Sequence, residues 1–147
     1  IGESLIEMKV DRIWPYQFIT AAKYAPQFKY ELQDAMYRGQ EVATPGKTVK
    51  EVAEAMNGVF SNAGYGKYCR PPFMRVRGHG LGVTSNQPGD ITDDSGVVLE
   101  EGMVFVMHPN QYLPETGYLM CGEPVVITPR GAEALSKETA QLDFIAA

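Results

Sequence analysis

The side chains with the widest chemical scope in this chain are its two histidines, His79 and His108. An imidazole titrates near neutral pH, and one of its ring nitrogens can also bind a metal ion. His79 lies within a glycine-rich run, and His108 follows an apolar run and precedes a proline. A single histidine at the end of a strand is more often a hydrogen-bonded structural residue. Each histidine therefore needs support from its surroundings before a functional role is assigned.

Two cysteines and three clustered aspartates are the other candidates. Cys69 and Cys121 lack the spacing of a metal or redox motif, and free buried thiols in a reducing cytoplasm are their simplest interpretation. Cys121 could be a nucleophile, but nothing in the sequence pairs it with a histidine, so a buried thiol is favoured. The aspartates lack the full spacing of a calcium loop and are interpreted as a solvated turn: Asp90, Asp93 and Asp94.

Charge and hydropathy limit the possible partners. The net charge of −5 argues against nucleic acid, because phosphate binding requires clustered Lys and Arg. The one local basic cluster, Arg70, Arg75 and Arg77, is interpreted as a solvated edge. Apolar runs have strand length and no secretory signal is visible, so a cytoplasmic protein without a membrane span is predicted. Because the chain starts at Ile1 rather than Met, we expect a fragment or a processed chain.

Two helices are predicted in the first half of the chain. Apolar residues recur at helical spacing over residues 27–43, which predicts an amphipathic helix. Thr48 and Glu51 then form the pattern of a capping box, in which the hydroxyl and the carboxylate satisfy backbone amides at a helix start. The second helix is predicted over residues 48–63, with Gly64 as its left-handed cap.

The other regular elements are predicted to be strands. Short apolar or alternating runs bounded by Gly and Pro are typical of strands. They occur at residues 4–10, 16–22, 73–77, 103–108, 118–120 and 124–128. The polar stretch at residues 86–96, rich in Asp and Gly, is predicted to be a loop. Strands, two helices and then strands again predict an α+β domain.

Three segments resemble, in order and at comparable spacing, the second half of the pita-bread superfamily, which includes methionine aminopeptidase, Xaa-Pro dipeptidase and creatinase. Residues 77–83, RGHGLGV, are similar to the family's Gly-His-Gly-Ile-Gly-Leu. Residues 99–109, LEEGMVFVMHP, are similar to Leu-x-x-Gly-Met-Val-x-x-x-Glu-Pro, with His108 in place of Glu. Residues 122–128 and 131–135, GEPVVIT and GAEAL, resemble the ending Ile-Glu-Asp-x-Val-x-Val-Thr-x-x-Gly-x-Glu-x-Leu.

The resemblance implies that residues 1–147 are the C-terminal part of one pita-bread catalytic domain. That fold is α+β, with a curved antiparallel sheet and two outer helices. Residues 73–83, 103–108 and 118–128 should then be neighbouring antiparallel strands of a single sheet. Because the first half of the fold normally supplies part of the pocket, a homodimer or association with a missing N-terminal portion is expected.

The resemblance also implies a metal site with altered ligands. The family holds two bridged divalent ions with two Asp, one His and two Glu. His79 matches the histidine ligand, Glu123 is matched to the final bridging glutamate, and His108 replaces the other glutamate. Glu7 lies near the position of the first aspartate, and the second aspartate falls at an apolar position. We therefore expect His79, His108 and Glu123 to converge on one divalent ion, zinc, manganese or iron, instead of a pair.

Asn86 and Gln87 stand where the family has a His-Glu pair. Because that histidine normally holds the substrate carbonyl, we expect Asn86 to act in catalysis and both residues to bind substrate. The implied activity is hydrolysis of a C–N bond in a small amide or peptide, with a modified metal site. In a creatinase-like alternative no metal is used, and His79 acts as the general base.

A second hypothesis is a catalytically inactive pita-bread binding module. Pita-bread domains in some histone chaperones and ribosome-associated factors have lost their ligands and kept the fold. The substituted aspartate and histidine positions favour this hypothesis, whereas His79, His108 and Glu123 favour the hydrolase.

Overall fold

The structure is a computed structural model that describes residues 28–114 and 117–137. The strands predicted at residues 4–10 and 16–22, together with Glu7, lie outside these ranges. The described elements form an α+β arrangement in which two helices precede the strands. In chain order they are α1 (Phe28–Val42), α2 (Val49–Asn62), a short 3-10 helix (Gly66–Tyr68), β1 (Gly78–Leu81), β2 (Ser85–Asp90), β3 (Val104–Met107), β4 (Gln111–Leu113), β5 (Gly117–Leu119), β6 (Glu123–Thr128) and β7 (Gly131–Ala134).

Both predicted helices are present, and the capping box at the start of α2 is confirmed. The Thr48 hydroxyl accepts a hydrogen bond from the Glu51 amide at 3.2 Å, and the Thr48 amide donates to the Glu51 carboxylate at 2.8 Å. Gly64 follows the Ala63 cap with φ of +89°, in the left-handed region that glycine adopts without a steric cost. Local sequence chemistry therefore sets both ends of α2.

The helices pack against each other and against one face of the sheet. α1 contacts α2, β3 and β7. At Gly39 the two helices approach so closely that a Cβ atom would overlap the Met56 side chain. The buried stripe of α2 recurs every three or four residues, as an amphipathic helix requires: Val49, Val52, Ala53, Met56 and Phe60.

Five strands form one antiparallel sheet in the order β2-β1-β3-β6-β7. His79 lies opposite Val106, which lies opposite Pro124, whereas the next residue of β3, Met107, lies opposite Glu123. Directly opposite residues in antiparallel strands project to the same face, and successive residues project to opposite faces. His79 and Glu123 therefore belong to different faces of the sheet.

These two faces have different surroundings. The face that contacts the helices, here called the helix face, forms the hydrophobic core with Phe105, Met107, Val125 and Ile127, each at most 1% exposed. The other face, here called the histidine face, is more open, and its Leu81 is 39% exposed. A functional group that must meet a substrate is thus accessible on the histidine face and enclosed on the helix face.

Two strand predictions and one loop prediction are corrected by the structure. Residues 73–77 form turns, because the amides of Phe73 and Met74 both bond to the Arg70 carbonyl, and β1 begins only at Gly78. Residues 118–120 do not join the main sheet: β5 pairs with β4 in a separate two-stranded hairpin. The predicted loop at residues 86–96 contains the end strand β2. Its side chains are largely exposed, so it lacks the apolar alternation that identifies a strand in a sequence.

The predicted strands at residues 103–108 and 124–128 are present as β3 and β6. The amide of Ile127 extends their pairing by donating to the Met103 carbonyl at 2.8 Å. No helix within residues 28–114 and 117–137 combines the length and the apolar character needed to cross a membrane.

Candidate active site

The two histidines meet on the histidine face. His79 projects from the middle of β1, and His108 follows the last residue of β3, the neighbouring strand. Their ring centroids are 5.1 Å apart, with 61° between the ring planes. Because β1 and β3 are paired antiparallel, the end of β3 returns to the start of β1 and brings together residues that are 29 positions apart. The predicted proximity of His79 and His108 is confirmed.

The backbone carbonyl of the next residue orients the His79 ring. Its Nδ1 lies 3.0 Å from the carbonyl oxygen of Gly80. A carbonyl oxygen can only accept a hydrogen bond, so Nδ1 carries the proton of the neutral ring and Nε2 keeps its lone pair. An imidazole in this tautomer can accept a proton or bind a metal ion through Nε2.

His108 lies in a largely enclosed environment. Burial lowers the pKa of His108 from 6.5 to about 4, and the neighbouring His79 adds to the lowering, whereas a hydrogen bond to the backbone of His108 itself and, to a smaller extent, the Asp90 carboxylate act in the opposite direction. The ring is therefore neutral at pH 7. Its Nδ1 lies 2.9 Å from the side-chain amide nitrogen of Asn110, two residues further along the chain.

Two residues of this site were not identified from the sequence. Asp90 lies directly opposite His79 in the β1–β2 pairing and so shares its face of the sheet. The sequence analysis placed Asp90 in a solvated turn. Its position opposite His79 depends on an irregular register of the β1–β2 pairing between His79 and Leu81, and residue order does not reveal that register. Asn110 carried no signal of its own, since its role depends on where the chain turns after β3.

The expectation that Glu123 shares a cleft with the histidines is wrong. Glu123 lies opposite Met107 on the helix face and is 1% exposed. Burial raises the pKa of both Tyr37 and Cys121, and Glu123 adds a smaller contribution to each. The motif itself supports this correction. If the run at residues 125–128 is aligned with Val-x-Val-Thr, the motif's glutamate falls on Gly122 and Glu123 takes the position of its aspartate.

Glu123 instead belongs to the boundary between α1 and the sheet. The neighbouring Cys121 thiol is fully buried and contacts the Met36 sulfur at 3.9 Å. Burial, with a smaller contribution from Glu123, raises the pKa of Cys121 to about 12. This thiol is therefore protonated and not suited to act as a nucleophile, as the sequence predicts.

The predicted substrate-binding pair lies on the exposed part of β2. Asn86 has φ of +71°, a left-handed conformation that Asn tolerates better than most residues. Gln87 lines an open groove of about 670 Å³. Gln87 and Pro88 also pass so close to Gly80 that a Cβ atom there would overlap their backbone. The other residues that line the groove are Leu81, Gly82, Val83, Pro88, Gly102, Met103 and Val104.

The described residues do not supply the ligands of a metal pair. Within residues 28–114 and 117–137, no three His, Cys, Asp or Glu side chains are grouped so that they could hold a metal ion. His79 is suited to be a ligand through Nε2. Glu123 is excluded by its position on the helix face, and Glu7 lies outside the described ranges. The predicted ligand set of His79, His108 and Glu123 is thus not assembled.

Comparison with known proteins identifies relatives over most of this chain. A family model described as Metallopeptidase family M24 matches residues 20–129. The Xaa-Pro dipeptidase of Pyrococcus furiosus is 34% identical over 109 residues, which cover 74% of this chain and 30% of that protein. The chain therefore spans about a third of the length of the relatives that it matches.

Solved structures give the same result. The prolidase from Pyrococcus horikoshii OT3 superposes with a TM-score of 0.68 at 29% identity, covering 78% of this chain and 32% of that one. The dipeptidase PepE from Mycobacterium ulcerans superposes with a TM-score of 0.71 at 26% identity, covering 82% of this chain and 32% of that one. Similarity in sequence and similarity in structure thus each cover most of the chain.

Proposed function

Since the chain belongs to metallopeptidase family M24 and has the pita-bread fold, we propose that it is the C-terminal part of the catalytic domain of a C–N hydrolase. The substrate class is a small peptide or amide, because the relatives include proteins named Xaa-Pro dipeptidase. The observation that carries the proposal is the His79 ring, whose Nδ1 faces the Gly80 carbonyl and whose Nε2 is therefore available to react.

In the proposed reaction His79 acts as the general base. Its Nε2 takes a proton from a water molecule while the water oxygen bonds to the substrate carbonyl carbon, whose oxygen receives the displaced electron pair. The tetrahedral intermediate then collapses, the C–N bond breaks, and the His79 imidazolium returns the proton to the leaving nitrogen. Asp90, opposite His79 on the same face, supports the transient positive charge of that ring.

The metal content follows from the donor set. A pair of adjacent divalent ions needs several carboxylates to offset the repulsion between the ions. Asp90 is a carboxylate on the histidine face, whereas Glu123 is on the helix face. We therefore propose no metal ion or a single one, zinc, manganese or iron, and assign no catalytic step to it. Elemental analysis of protein purified without chelator tests this stoichiometry, and two equivalents would contradict it.

The activity is tested by measuring release of proline from a panel of Xaa-Pro dipeptides. His79→Gln should lower kcat/KM about 10²–10⁴-fold, the usual contribution of a general base. Lys50→Gln is the matched control, because Lys50 lies on the exposed side of α2 and pairs there with Glu54 at 3.7 Å. Equal activity of His79→Gln and Lys50→Gln would contradict the assignment of His79.

An inactive binding module remains the second candidate. Two observations favour it: the position of Glu123 on the helix face, and the open groove beside β1 that Leu81, Val83 and Met103 line with apolar side chains. If the folded wild-type protein hydrolyses no member of the dipeptide panel faster than buffer alone, the binding module becomes the better interpretation.

A further inference from the structure

The turn that carries His108 is held at both ends by one arginine. The His108 amide donates to the Arg77 carbonyl at 2.9 Å, and the Arg77 Nη1 donates to the Asn110 carbonyl at 2.8 Å. Between these two contacts the Asn110 amide donates to the His108 carbonyl at 2.6 Å, which closes the turn. The three residues after β3 therefore have little freedom to move relative to the start of β1.

Arg77 is itself fixed from several directions. Its side chain is fully buried and lies over the Phe60 ring, with its central carbon 4.3 Å from the ring centroid. Its Nε donates to the Asn57 side-chain oxygen at 2.7 Å, and its Nη2 donates to the Gln111 side-chain oxygen at 3.1 Å. Arg77 thus connects α2 rigidly to the turn that follows β3.

The side chain of Asn110 fixes the orientation of the His108 ring. Asn110 is 8% exposed, and its side-chain amide nitrogen lies 2.9 Å from His108 Nδ1. An amide NH₂ group can only donate a hydrogen bond, so Nδ1 accepts and the proton of the neutral ring resides on Nε2. His79 has the opposite arrangement, with the proton on Nδ1.

We propose that Arg77 and Asn110 are positioning residues that lock His108 as the Nε2–H tautomer, so that the neighbouring rings of His79 and His108 provide one acceptor and one donor on the same face of the sheet. A protonated Nε2 has no lone pair for a metal ion, so His108 is not a metal ligand at that atom. It is a neutral hydrogen-bond donor. This tautomer does not depend on the proposed hydrolase activity.

The substrate group that such a donor recognises is a carbonyl oxygen or the oxyanion that forms from it. This part of the inference rests on the proposed function. His108 would then supply the hydrogen bond that the family obtains from the histidine replaced here by Asn86. The compensation comes from a different element, the turn after β3 in place of β2.

Nitrogen-15 NMR of the protein labelled at histidine tests the tautomers directly, and the two histidines of the chain are assigned with His79→Gln and His108→Gln variants. We expect His108 Nδ1 to resonate as an unprotonated nitrogen and Nε2 as a protonated one, with the reverse for His79. Protonated Nδ1 in His108 would overturn the proposal. Since no substrate is present, this result is independent of whether the protein hydrolyses peptides.

Asn110→Asp is the decisive variant, because a carboxylate accepts a hydrogen bond where the amide donates one. It should move the His108 proton to Nδ1, whereas Asn62→Asp, the same change at the exposed end of α2, should leave both histidines unchanged. A His108 whose Nδ1 stays unprotonated in folded Asn110→Asp would contradict the role of Asn110. If that variant does not fold, Asn110→Ala should leave His108 as a mixture of tautomers, and an unmixed ring would be the contradicting result.

A titration with Zn²⁺ alone adds a second readout. In the wild-type protein Zn²⁺ should shift the Nε2 resonance of His79 and leave that of His108 protonated. In Asn110→Asp both Nε2 atoms should respond, with a measurable gain in Zn²⁺ affinity. Coordination of Zn²⁺ by both Nε2 atoms of the wild type would overturn the proposal.

Discussion

The ring centroids of His79 and His108 are 5.1 Å apart, yet the two imidazoles differ as hydrogen-bond donors and acceptors, because their hydrogen-bond partners differ in kind. His79 faces a carbonyl oxygen and His108 faces an amide nitrogen. Neither partner could be assigned from residue order, since the Gly80 contact depends on the backbone of β1 and the Asn110 contact on the turn after β3. The sequence predicted correctly that the two histidines lie close together, but it did not predict the difference between their hydrogen-bond partners.

The enclosed His108 should make the stability of the protein depend on pH. Its pKa is about 4 in the folded protein and 6.5 when unperturbed, so between these values the unfolded chain binds more protons than the folded one. The contribution of the neutral His108 ring to stability should therefore be fully present above pH 6.5. As the pH is lowered to 4, the free energy of unfolding should fall by on the order of 3 kcal/mol.

Urea unfolding of the wild type and of His108→Gln across this pH range measures the effect. The variant lacks the titrating ring and should show a smaller decrease, with His79, Asp90 and Arg77 as the remaining charged or titratable neighbours of the site. Identical pH profiles of the two proteins would mean that His108 titrates normally in the folded state.

At the scale of elements, helices were predicted well and end strands poorly. The limits of α2 agree with the sequence because Thr48, Glu51 and Gly64 act on their own neighbours in the chain. By contrast, β2 and β5 depend on partners that are supplied by the rest of the sheet or by a hairpin. The placement of Glu123 failed for a related reason: a shift of one residue in a strand moves a side chain to the other face.

The capping box gives a prediction at this scale. Thr48→Ala removes the hydroxyl that accepts from the Glu51 amide, and it should lower the free energy of unfolding by about 1 kcal/mol. Thr48→Ser retains a hydroxyl and is the matched control. Thermal unfolding of the three proteins should place the serine variant near the wild type and the alanine variant about 4 °C lower. Equal losses in both variants would attribute the effect to the missing methyl group.

At the scale of the whole molecule, Arg77 joins parts of the chain that are far apart in sequence. Its guanidinium reaches Asn57, Asn110 and Gln111, and within the described ranges the oxygens that accept its hydrogen bonds are all amide or carbonyl oxygens. Burial lowers the pKa of Arg77 to about 10, so the side chain stays charged at pH 7. The sequence interpreted Arg77 as part of a solvated edge, and that interpretation is wrong for this residue, which is 0% exposed.

Replacing this arginine should therefore cost far more than replacing its neighbour. Arg77→Met keeps much of the apolar volume but leaves the buried acceptors of Asn110 and Gln111 without this donor, at about 1–3 kcal/mol for each, together with the half-buried oxygen of Asn57. Arg75→Met, two residues earlier at an exposed position, should change the free energy of unfolding by no more than about 0.5 kcal/mol. Urea unfolding compares the two variants, and a similar loss in both would show that Arg77 does not connect α2 to the sheet.

The buried thiol of Cys121 allows the separation of α1 from the sheet to be measured kinetically. Only a thiolate reacts quickly with an alkylating reagent, and with a pKa of about 12 and no exposure this thiol is protected while the protein is folded. Its labelling rate in a Cys69→Ser background should therefore report how often α1 separates from the sheet. Repeating the labelling at increasing urea would distinguish local opening, which depends weakly on urea, from global unfolding, which depends strongly on it.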